Sequence, residues 1–206
     1  MTIQKSASKI RAAEHPANLI FVGRWSPRGF TQDQIPEGVM NTFFEAARWA
    51  PSAFNSQPWR FLYALRGQPE FDTFLSPLIE FNQGWARHAA ALIYLLSRKH
   101  FSSPRKTDPQ FSRTHSFDTG AAWANFANQV TAAGWAAHGM SGFDVEKAST
   151  VLRVPEGFAV EIAIAVGRKG DGANLTADLL QREQPSGRSP VGDFVARGLF
   201  PERFRS

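Results

Sequence analysis

Two arginines that stand four residues apart flank a hydroxyl side chain near the start of this sequence. The segment is Arg24-Trp25-Ser26-Pro27-Arg28. A guanidinium presents a planar fork of donors, and its charge-assisted hydrogen bonds to phosphate are about twice as strong as neutral ones. The spacing therefore suits a phosphate and a neighbouring polar group, although Arg-x-Ser-x-Arg is also common on solvated surfaces.

A second polar segment, residues 50–59, reads Ala-Pro-Ser-Ala-Phe-Asn-Ser-Gln-Pro-Trp. Pro51 ends the preceding helix because the residue before a proline resists the α region. The turn then offers Ser52, Asn55 and Gln57 in one place, where backbone and amide donors could contact the edge of a heterocycle. An ordinary connection between a helix and a strand uses the same residue types, so this segment alone leaves both interpretations open.

The elements that position these segments are predicted from hydrophobic period and from start and stop signals. Pro36-Glu37 opens a helix that ends before Pro51, since proline and an acidic residue favour the first helical turn. The remaining pattern predicts strands over 59–65, 91–97 and 158–167, and helices over 69–79, 118–139 and 145–152. Residues 101–117 are basic and rich in serine and proline, which is typical of a loop.

Together these elements predict one α+β domain over residues 1–206, with about four strands, a long helix and several flanking helices. A folded chain of this length buries roughly 70% of the surface that the unfolded chain exposes, so it needs no disulfide or metal cross-link to be stable. We expect the polar residues 1–19 to be loosely attached. The aromatic segment 192–206 is a candidate C-terminal arm.

Composition excludes several classes of protein. The chain has no cysteine, so disulfides, thiolate metal sites and thiol catalysis are absent, and a cytoplasmic location is expected. No apolar run reaches membrane-spanning length, and the N-terminus lacks the pattern of a secretory signal. The five histidines have no ligand spacing, so we predict no metal site. No Gly-x-Ser-x-Gly motif supports a serine hydrolase.

The net charge of +5 fits an anionic ligand, and it would also fit nucleic acid. The basic residues are scattered, and the 23 Lys and Arg residues only modestly exceed the 18 Asp and Glu residues. We therefore predict no nucleic-acid partner and no membrane partner. A basic nucleic-acid-associated domain stays the weaker alternative, which binding that falls steeply with salt would support.

Four segments in order make the chain resemble the nitroreductase family of FMN enzymes. The first two are Arg-x-Ser-x-Arg and Pro-Ser-x-x-Asn-x-Gln-Pro-Trp. The third runs from Phe117-Asp118-Thr119-Gly120 through a long helix to Gly142-Phe143-Asp144, and the fourth is Val154-Pro155-Glu156-Gly157 before a strand. The similarity extends from about residue 19 to about residue 195. It implies a nitroreductase-like α+β fold with a central mixed sheet, a long central helix and a dimer.

The resemblance also implies where FMN would bind. Arg24 and Ser26 would hold the phosphate together with Arg188, which comes from the far end of the chain. Arg28 would lie by the ribityl and pyrimidine end, where its charge opposes the negative charge that develops on reduction. Asn82 would bond the pyrimidine edge of the flavin.

Two further groups complete the implied cofactor site. The partner subunit of a homodimer would contribute the loop residues Pro51, Ser52, Ala53, Asn55 and Gln57. Ser141 and Gly142 would direct backbone N–H groups at the ring nitrogen that accepts the hydride. The chain departs from many relatives at Trp25 and from some at Ser186, where those relatives carry basic residues, so we expect a less positive phosphate site.

These features predict an NAD(P)H oxidoreductase that reduces nitroaromatics, quinones, enones or flavins. No Rossmann signature is present, so we expect no separate nicotinamide domain. NADH or NADPH and the acceptor would then bind one after the other in the same slot, which predicts ping-pong kinetics. We name no catalytic side chain, because the cofactor does the chemistry and water can supply protons. A flavin-binding module for storage or sensing is the alternative function. The loop at 101–117 is the expected site of substrate selection.

Overall fold

The structure is a computed structural model that describes residues 11–102 and 108–205. Four strands form its central sheet in the order β1-β2-β6-β5. These strands are β1 (Trp59–Leu65), β2 (Ala91–Arg98), β5 (Ala136–Met140) and β6 (Phe158–Gly167). A separate two-stranded hairpin consists of β3 (His100–Phe101) and β4 (Gln110–Phe111).

The central strand β2 explains why the sheet has helices on both faces. Residues 91–97 are all buried, and successive side chains of a strand point to opposite faces. Leu92, Tyr94 and Leu96 accordingly belong to one hydrophobic cluster, whereas Ile93 and Leu95 belong to the other. The sheet is therefore the middle of three layers.

Each outer layer is built from a distinct set of helices. On the face of Ile93 lie α2 (Glu37–Arg48) and α5 (His115–Ala132). Phe43 of α2 meets Phe126 of α5 edge to face, with ring centroids 5.9 Å apart. The opposite face is covered by α3 (Phe71–Leu75), α4 (Glu80–Ala86) and α6 (Val145–Val151). Two further short helices are α1 (Leu19–Gly23) and α7 (Ala177–Gln181).

The prediction of a mixed sheet is wrong for the described strands. All three neighbouring pairs, β1 with β2, β2 with β6 and β6 with β5, are antiparallel. Strands β2 and β5 do run in the same direction, because α5 crosses between them. They are not neighbours, however, since the later strand β6 lies between them.

The long predicted helix over 118–139 is wrong at both ends. The helix is α5, His115–Ala132, and Gly134 then turns the chain with a φ of +76°. That left-handed conformation favours glycine. Residues 136–140, expected as helix, instead form the edge strand β5 against β6. Alanine has the highest helix propensity, but propensity is a small free energy that tertiary pairing with β6 overrides here.

The other predicted elements agree with the structure to different degrees. The strands predicted over 59–65 and 158–167 are confirmed at both ends, and α2 and α6 lie where helices were predicted. The helix predicted over 69–79 is shorter, because Pro77 separates α3 from α4. The loop predicted over 101–117 contains β4 and the start of α5, and residues 103–107 lie outside the described residues.

Within the described ranges, no helix combines the length and the apolar character needed to cross a lipid bilayer.

Candidate functional site

Ten residues from widely separated parts of the chain line a cavity of about 290 Å³, which we call the arginine cavity. They are Arg11, Arg24, Trp25, Ser26, Arg28, His138, Arg182, Gln184, Ser186 and Arg188. Five of them are arginines, so the cavity has a strong excess of positive charge. Such a site favours an anionic ligand, and arginine suits phosphate in particular.

The end of strand β6 positions the first arginine segment. Phe30 forms an antiparallel bridge with Lys169, two residues beyond β6. The side chain of Phe30 lies directly over Gly167, where an added Cβ would come within 2.6 Å of the ring. Glycine at that position therefore lets residues 24–30 approach the sheet.

A carboxylate near the C-terminal end brings the second arginine segment to the first. One oxygen of Glu183 accepts hydrogen bonds from the backbone N–H groups of Arg28 (2.7 Å) and Gly29 (2.8 Å). Glu183 follows Arg182, which caps α7, and it precedes the segment that carries Arg188. These two bonds connect residues more than 150 positions apart and so create the cavity.

Several polar atoms at the arginine cavity have unused hydrogen-bonding capacity. The buried Nε of Arg28 has no hydrogen-bond partner among the described residues, and neither does the second oxygen of Glu183. Burial lowers the pKa of Arg24, and the nearby charge of Arg188 lowers that pKa further. A bound anion would relieve this repulsion and would give the Arg28 Nε–H an acceptor.

An uncharged imidazole lies beside these arginines. The Nδ1 of His138, on β5, donates to the carbonyl oxygen of Pro27 (3.0 Å), and its ring packs on Trp85 with centroids 4.7 Å apart. Burial lowers the pKa of His138 to about 4, and the positive charges of Arg28 and Arg24 contribute to that lowering. His138 is therefore neutral at neutral pH.

Trp85 links the arginine cavity to the second group of predicted residues. The Arg28 guanidinium lies 6.0 Å from the centre of the Trp85 ring. One turn earlier on α4, the buried Asn82 donates from Nδ2 to the carbonyl oxygen of Gly142 (2.9 Å). The backbone N–H groups of Ser141 and Gly142 make no hydrogen bond with the described residues. These two donors are therefore available to a ligand.

The loop at residues 51–57 is strained. Phe54, Asn55 and Gln57 have φ angles of +55°, +52° and +45°, a region that is costly for side chains other than glycine and that clusters at functional sites. Asp118, buried at the start of α5, holds the loop by accepting from the Ala53 N–H (3.1 Å). The loop thus has a fixed conformation.

A second cavity, of about 360 Å³, lies between this loop and the β3–β4 hairpin, and we call it the aromatic cavity. It is lined by Ala53, Phe54, Phe101, Gln110, Phe111, Ser112, Arg113 and Thr114. Phe54 and Phe101 stack with centroids 5.4 Å apart. This cavity can hold a flat apolar molecule.

The structure brings together part of the predicted cofactor site. Arg24, Trp25, Ser26, Arg28 and Arg188 all line the arginine cavity, and Asn82 contacts Gly142 beside Ser141. Pro51, Ser52, Ala53, Asn55 and Gln57 do not line the arginine cavity, and of these only Ala53 lines the aromatic cavity.

Two further arginines add to the charge of the phosphate site. Trp25 and Ser186 carry no charge, but Arg11 and Arg182 line the cavity as well. Arg11, in the segment expected to be loosely attached, makes three hydrogen bonds to carbonyl oxygens. Residues 1–10 lie outside the described residues.

Sequence reasoning missed Arg11, Arg182 and His138 at this cavity. Arg11 follows no motif, and its place depends on carbonyl oxygens far along the chain. Arg182 stands in a polar stretch that has no distinctive spacing. The position of His138 was hidden by the error over β5, since a residue taken as helical could not be placed beside Pro27.

The chain is similar to known proteins in sequence and in fold. The sequence model described as the nitroreductase family matches residues 22–70 and 66–168, which is more than half of the chain. A crystal structure described as an oxidoreductase containing FMN has a TM-score of 0.90 and 41% identity, with 95% of this chain and 98% of that chain covered.

Two curated proteins are similar over shorter stretches. An uncharacterized 15.4 kDa protein of Mycolicibacterium smegmatis is 30% identical over 111 residues, which cover 54% of this chain and 71% of that protein. An NADH dehydrogenase of Thermus thermophilus is 51% identical over 37 residues, which are 18% of each chain.

Proposed function

The chain belongs to the nitroreductase family, and we propose that it is an FMN-dependent oxidoreductase that transfers electrons from NADH or NADPH to small electrophilic acceptors. The observation that carries the proposal is the meeting of Arg24, Ser26 and Arg188 around one cavity, which Arg28 also lines, its buried Nε lacking a partner among the described residues. A phosphate monoester fits this set of donors by charge and by hydrogen bonding.

The remaining residues fit the rest of a flavin. Trp85 packs on His138 at the arginine cavity. One turn earlier on α4, Asn82 donates to the carbonyl oxygen of Gly142. The free N–H groups of Ser141 and Gly142 would donate to the flavin ring, and Arg28 would oppose negative charge at its pyrimidine end. When bound, FMN supplies two-electron chemistry, accepting a hydride from nicotinamide and reducing an acceptor. The 41%-identical structure described as containing FMN supports this assignment.

We place acceptor binding at the aromatic cavity. Phe54, Phe101 and Phe111 offer ring faces on which a nitroaromatic, a quinone or another flat molecule could stack. Arg113 is exposed there, and it makes no hydrogen bond or ion pair with the described residues. We expect nicotinamide and acceptor to bind one after the other, so that initial-rate plots show ping-pong kinetics.

The same proposal includes a homodimer. Within one chain the strained loop at 51–57 lies outside the arginine cavity, so a partner subunit would bring this loop to the flavin. The C-terminal segment exposes Phe194, Leu199 and Phe200, and exposed apolar side chains in one segment suit burial against a second copy. Light scattering on the purified protein tests this: a monomer that binds FMN at full affinity would contradict the shared site.

An absorption spectrum of the purified protein is the direct test of the function. We expect a yellow protein with bound FMN whose visible absorption is lost when NADH or NADPH is added without air. A colourless protein that ignores added FMN would overturn the proposal. Steady-state oxidation of the nicotinamide with a quinone or nitroarene then separates an enzyme from a flavin-storing or flavin-sensing module, which would not turn over.

A further inference from the structure

Arg11 is an arginine of the cavity that belongs to no recognised motif. Its guanidinium reaches three carbonyl oxygens: Nε donates to Ser186 (2.8 Å), and Nη1 donates to Val22 (2.8 Å) and to Arg24 (2.6 Å). Its other terminal nitrogen, Nη2, makes no hydrogen bond with the described residues. Arg11 therefore has a fixed position and two N–H donors to spare at the wall of the cavity.

The three carbonyl oxygens come from opposite ends of the chain. Val22 and Arg24 belong to the segment that opens the cavity, whereas Ser186 lies two residues before Arg188. A second hydrogen bond joins the same two segments, since the carboxylate of Glu14 accepts from the backbone N–H of Val191 (2.9 Å). The segment that holds Arg11 and Glu14 is thus tied to the C-terminal segment at both of these residues.

The charges oppose this arrangement unless an anion is present. Arg11, Arg24 and Arg188 all line the one cavity. Burial lowers the pKa of Arg11, and the charges of Arg188 and Arg24 lower it further. Arg11 is held beside these two cations by hydrogen bonds to neutral carbonyl groups. A dianion among them would turn the repulsion into attraction.

We propose that Arg11 is a further phosphate-binding residue, and that a phosphate monoester bound in the arginine cavity fastens the N-terminal segment to the C-terminal segment. The identity of that monoester as FMN rests on the proposed function, but the binding of phosphate does not. Arg11 donates from Nη2 to the phosphate, while its Nε and Nη1 hold Ser186, Val22 and Arg24 in place. Binding of the ligand then strengthens the contacts that already join the two segments.

The first test is FMN affinity by flavin fluorescence, in the full chain stripped of cofactor. Arg11→Gln should weaken FMN binding about tenfold, because one charge-assisted contact is lost, and Arg11→Lys should weaken it less. Arg153→Gln is the matched control, since Arg153 is exposed and lines neither cavity. Equal affinities of wild-type protein and Arg11→Gln would overturn the proposal.

The second test separates a ligand contact from a structural role and uses wild-type protein. Hydrogen exchange of residues 11–18 and 184–191 is measured with FMN, with riboflavin and with inorganic phosphate. FMN and phosphate should slow the exchange in both segments, whereas riboflavin, which lacks the phosphate, should not. Protection by riboflavin equal to that by FMN, or no protection by any ligand, would contradict the proposal.

These outcomes distinguish this proposal from the proposed function. Protection by phosphate in a protein that never binds FMN would support the role of Arg11 and reject the flavin enzyme. Tight FMN binding that is insensitive to Arg11 and leaves both segments unprotected would do the opposite. If Arg11→Gln fails to fold, the exchange measurement on wild-type protein and the FMN titration of Arg11→Lys still test the proposal.

Discussion

The arginine cavity and the aromatic cavity are similar in size but differ in how the chain builds them. Residues from Arg11 to Arg188 meet in the arginine cavity, which encloses positive charge and buried donors without partners. The aromatic cavity draws on two nearby segments, the strained turn at Phe54 and the hairpin of Phe101 and Phe111, and its lining is mainly ring surface. The arginine cavity is thus charged and depends on contacts between distant parts of the chain. The aromatic cavity is mainly apolar and is formed by one turn and one hairpin.

This difference suggests a division of labour. The arginine cavity forms only when Phe30 lies on the end of β6 and Glu183 bonds to Arg28 and Gly29, because these contacts hold its walls. Its ligand should therefore contribute to the stability of the whole protein. The aromatic cavity depends on a short hairpin and one turn, so its shape can change without affecting the sheet. A resident cofactor fits the first cavity, and exchangeable substrates fit the second.

Loss of Arg24 should have the largest effect and should act on one cavity alone. Arg24→Ala removes a charge-assisted contact to the phosphate, which is worth about 1.5–3 kcal/mol, so FMN affinity should fall tenfold or more. Fluorescence titration measures the affinity. With FMN at saturation, the KM for a quinone should stay unchanged, since Arg24 does not line the aromatic cavity.

An arginine of the other cavity provides the control for that experiment. Arg113→Ala removes the same side chain from the lining of the aromatic cavity, and it should leave FMN affinity at the wild-type value. If Arg113→Ala weakens FMN binding as much as Arg24→Ala does, the two cavities form one site and the proposed division is wrong.

The same contrast shows how much the sequence could predict. Arg24 and Ser26 lie close together in the chain, so the Arg-x-Ser-x-Arg spacing suited a phosphate, although the resemblance to the nitroreductase family was needed to assign the site. The apolar run at 91–97 and the proline at position 51 likewise determine their elements locally, and β2 and α2 were predicted correctly. Where a short segment carries the whole signal, sequence reasoning succeeds.

Features that depend on long-range contacts could not be predicted in this way. Arg11 reaches the cavity only because the carbonyl oxygens of Val22, Arg24 and Ser186 accept its hydrogen bonds. Residues 136–140 form a strand only because β6 pairs with them. The hairpin of Phe101 and Phe111 was hidden by a polar, proline-containing composition that is typical of loops. In each case tertiary contacts decide between conformations that the local sequence permits.

Removing an aromatic ring should have the next largest effect, and it should act on the other cavity. Phe54→Ala removes one ring from the lining of the aromatic cavity, and stacking of a nitroarene on that ring is worth about 0.5–1.5 kcal/mol. The KM for a nitroarene should therefore rise about two- to tenfold while FMN affinity stays unchanged. Phe21→Ala is the control, since Phe21 is exposed but lines neither cavity. A KM that rises equally in both variants would reject the aromatic cavity as the acceptor site.

Salt should distinguish the two cavities by a smaller factor. Raising sodium chloride from about 50 to about 200 mM shortens the screening length of exposed charges, so FMN affinity should fall severalfold. The KM for an uncharged quinone should stay within about twofold, because stacking does not depend on charge. Both constants are measured on the same wild-type preparation. Equal salt dependence of the two would show that charge does not separate the cavities.

The last effect concerns His138, which reports on the charge inside the arginine cavity. Burial and the charges of Arg28 and Arg24 lower its pKa to about 4, whereas the unfolded chain takes up that proton at about 6.5. The unfolded state therefore binds more protons between these values, and the free energy of unfolding falls as pH is lowered from about 6.5 to about 4.

A bound anion should reverse part of this shift. Two negative charges beside Arg24 and Arg28 favour the imidazolium, so the pKa of His138 should rise towards its usual value. Sulfate is the suitable probe because its charge, unlike that of phosphate, does not change across this pH range. Histidine NMR titration measures the pKa with and without sulfate, and His138→Asn identifies the signal. If the pKa of His138 is the same with and without sulfate, the anion does not bind at these arginines. The proposed electrostatic difference between the two cavities would then be wrong.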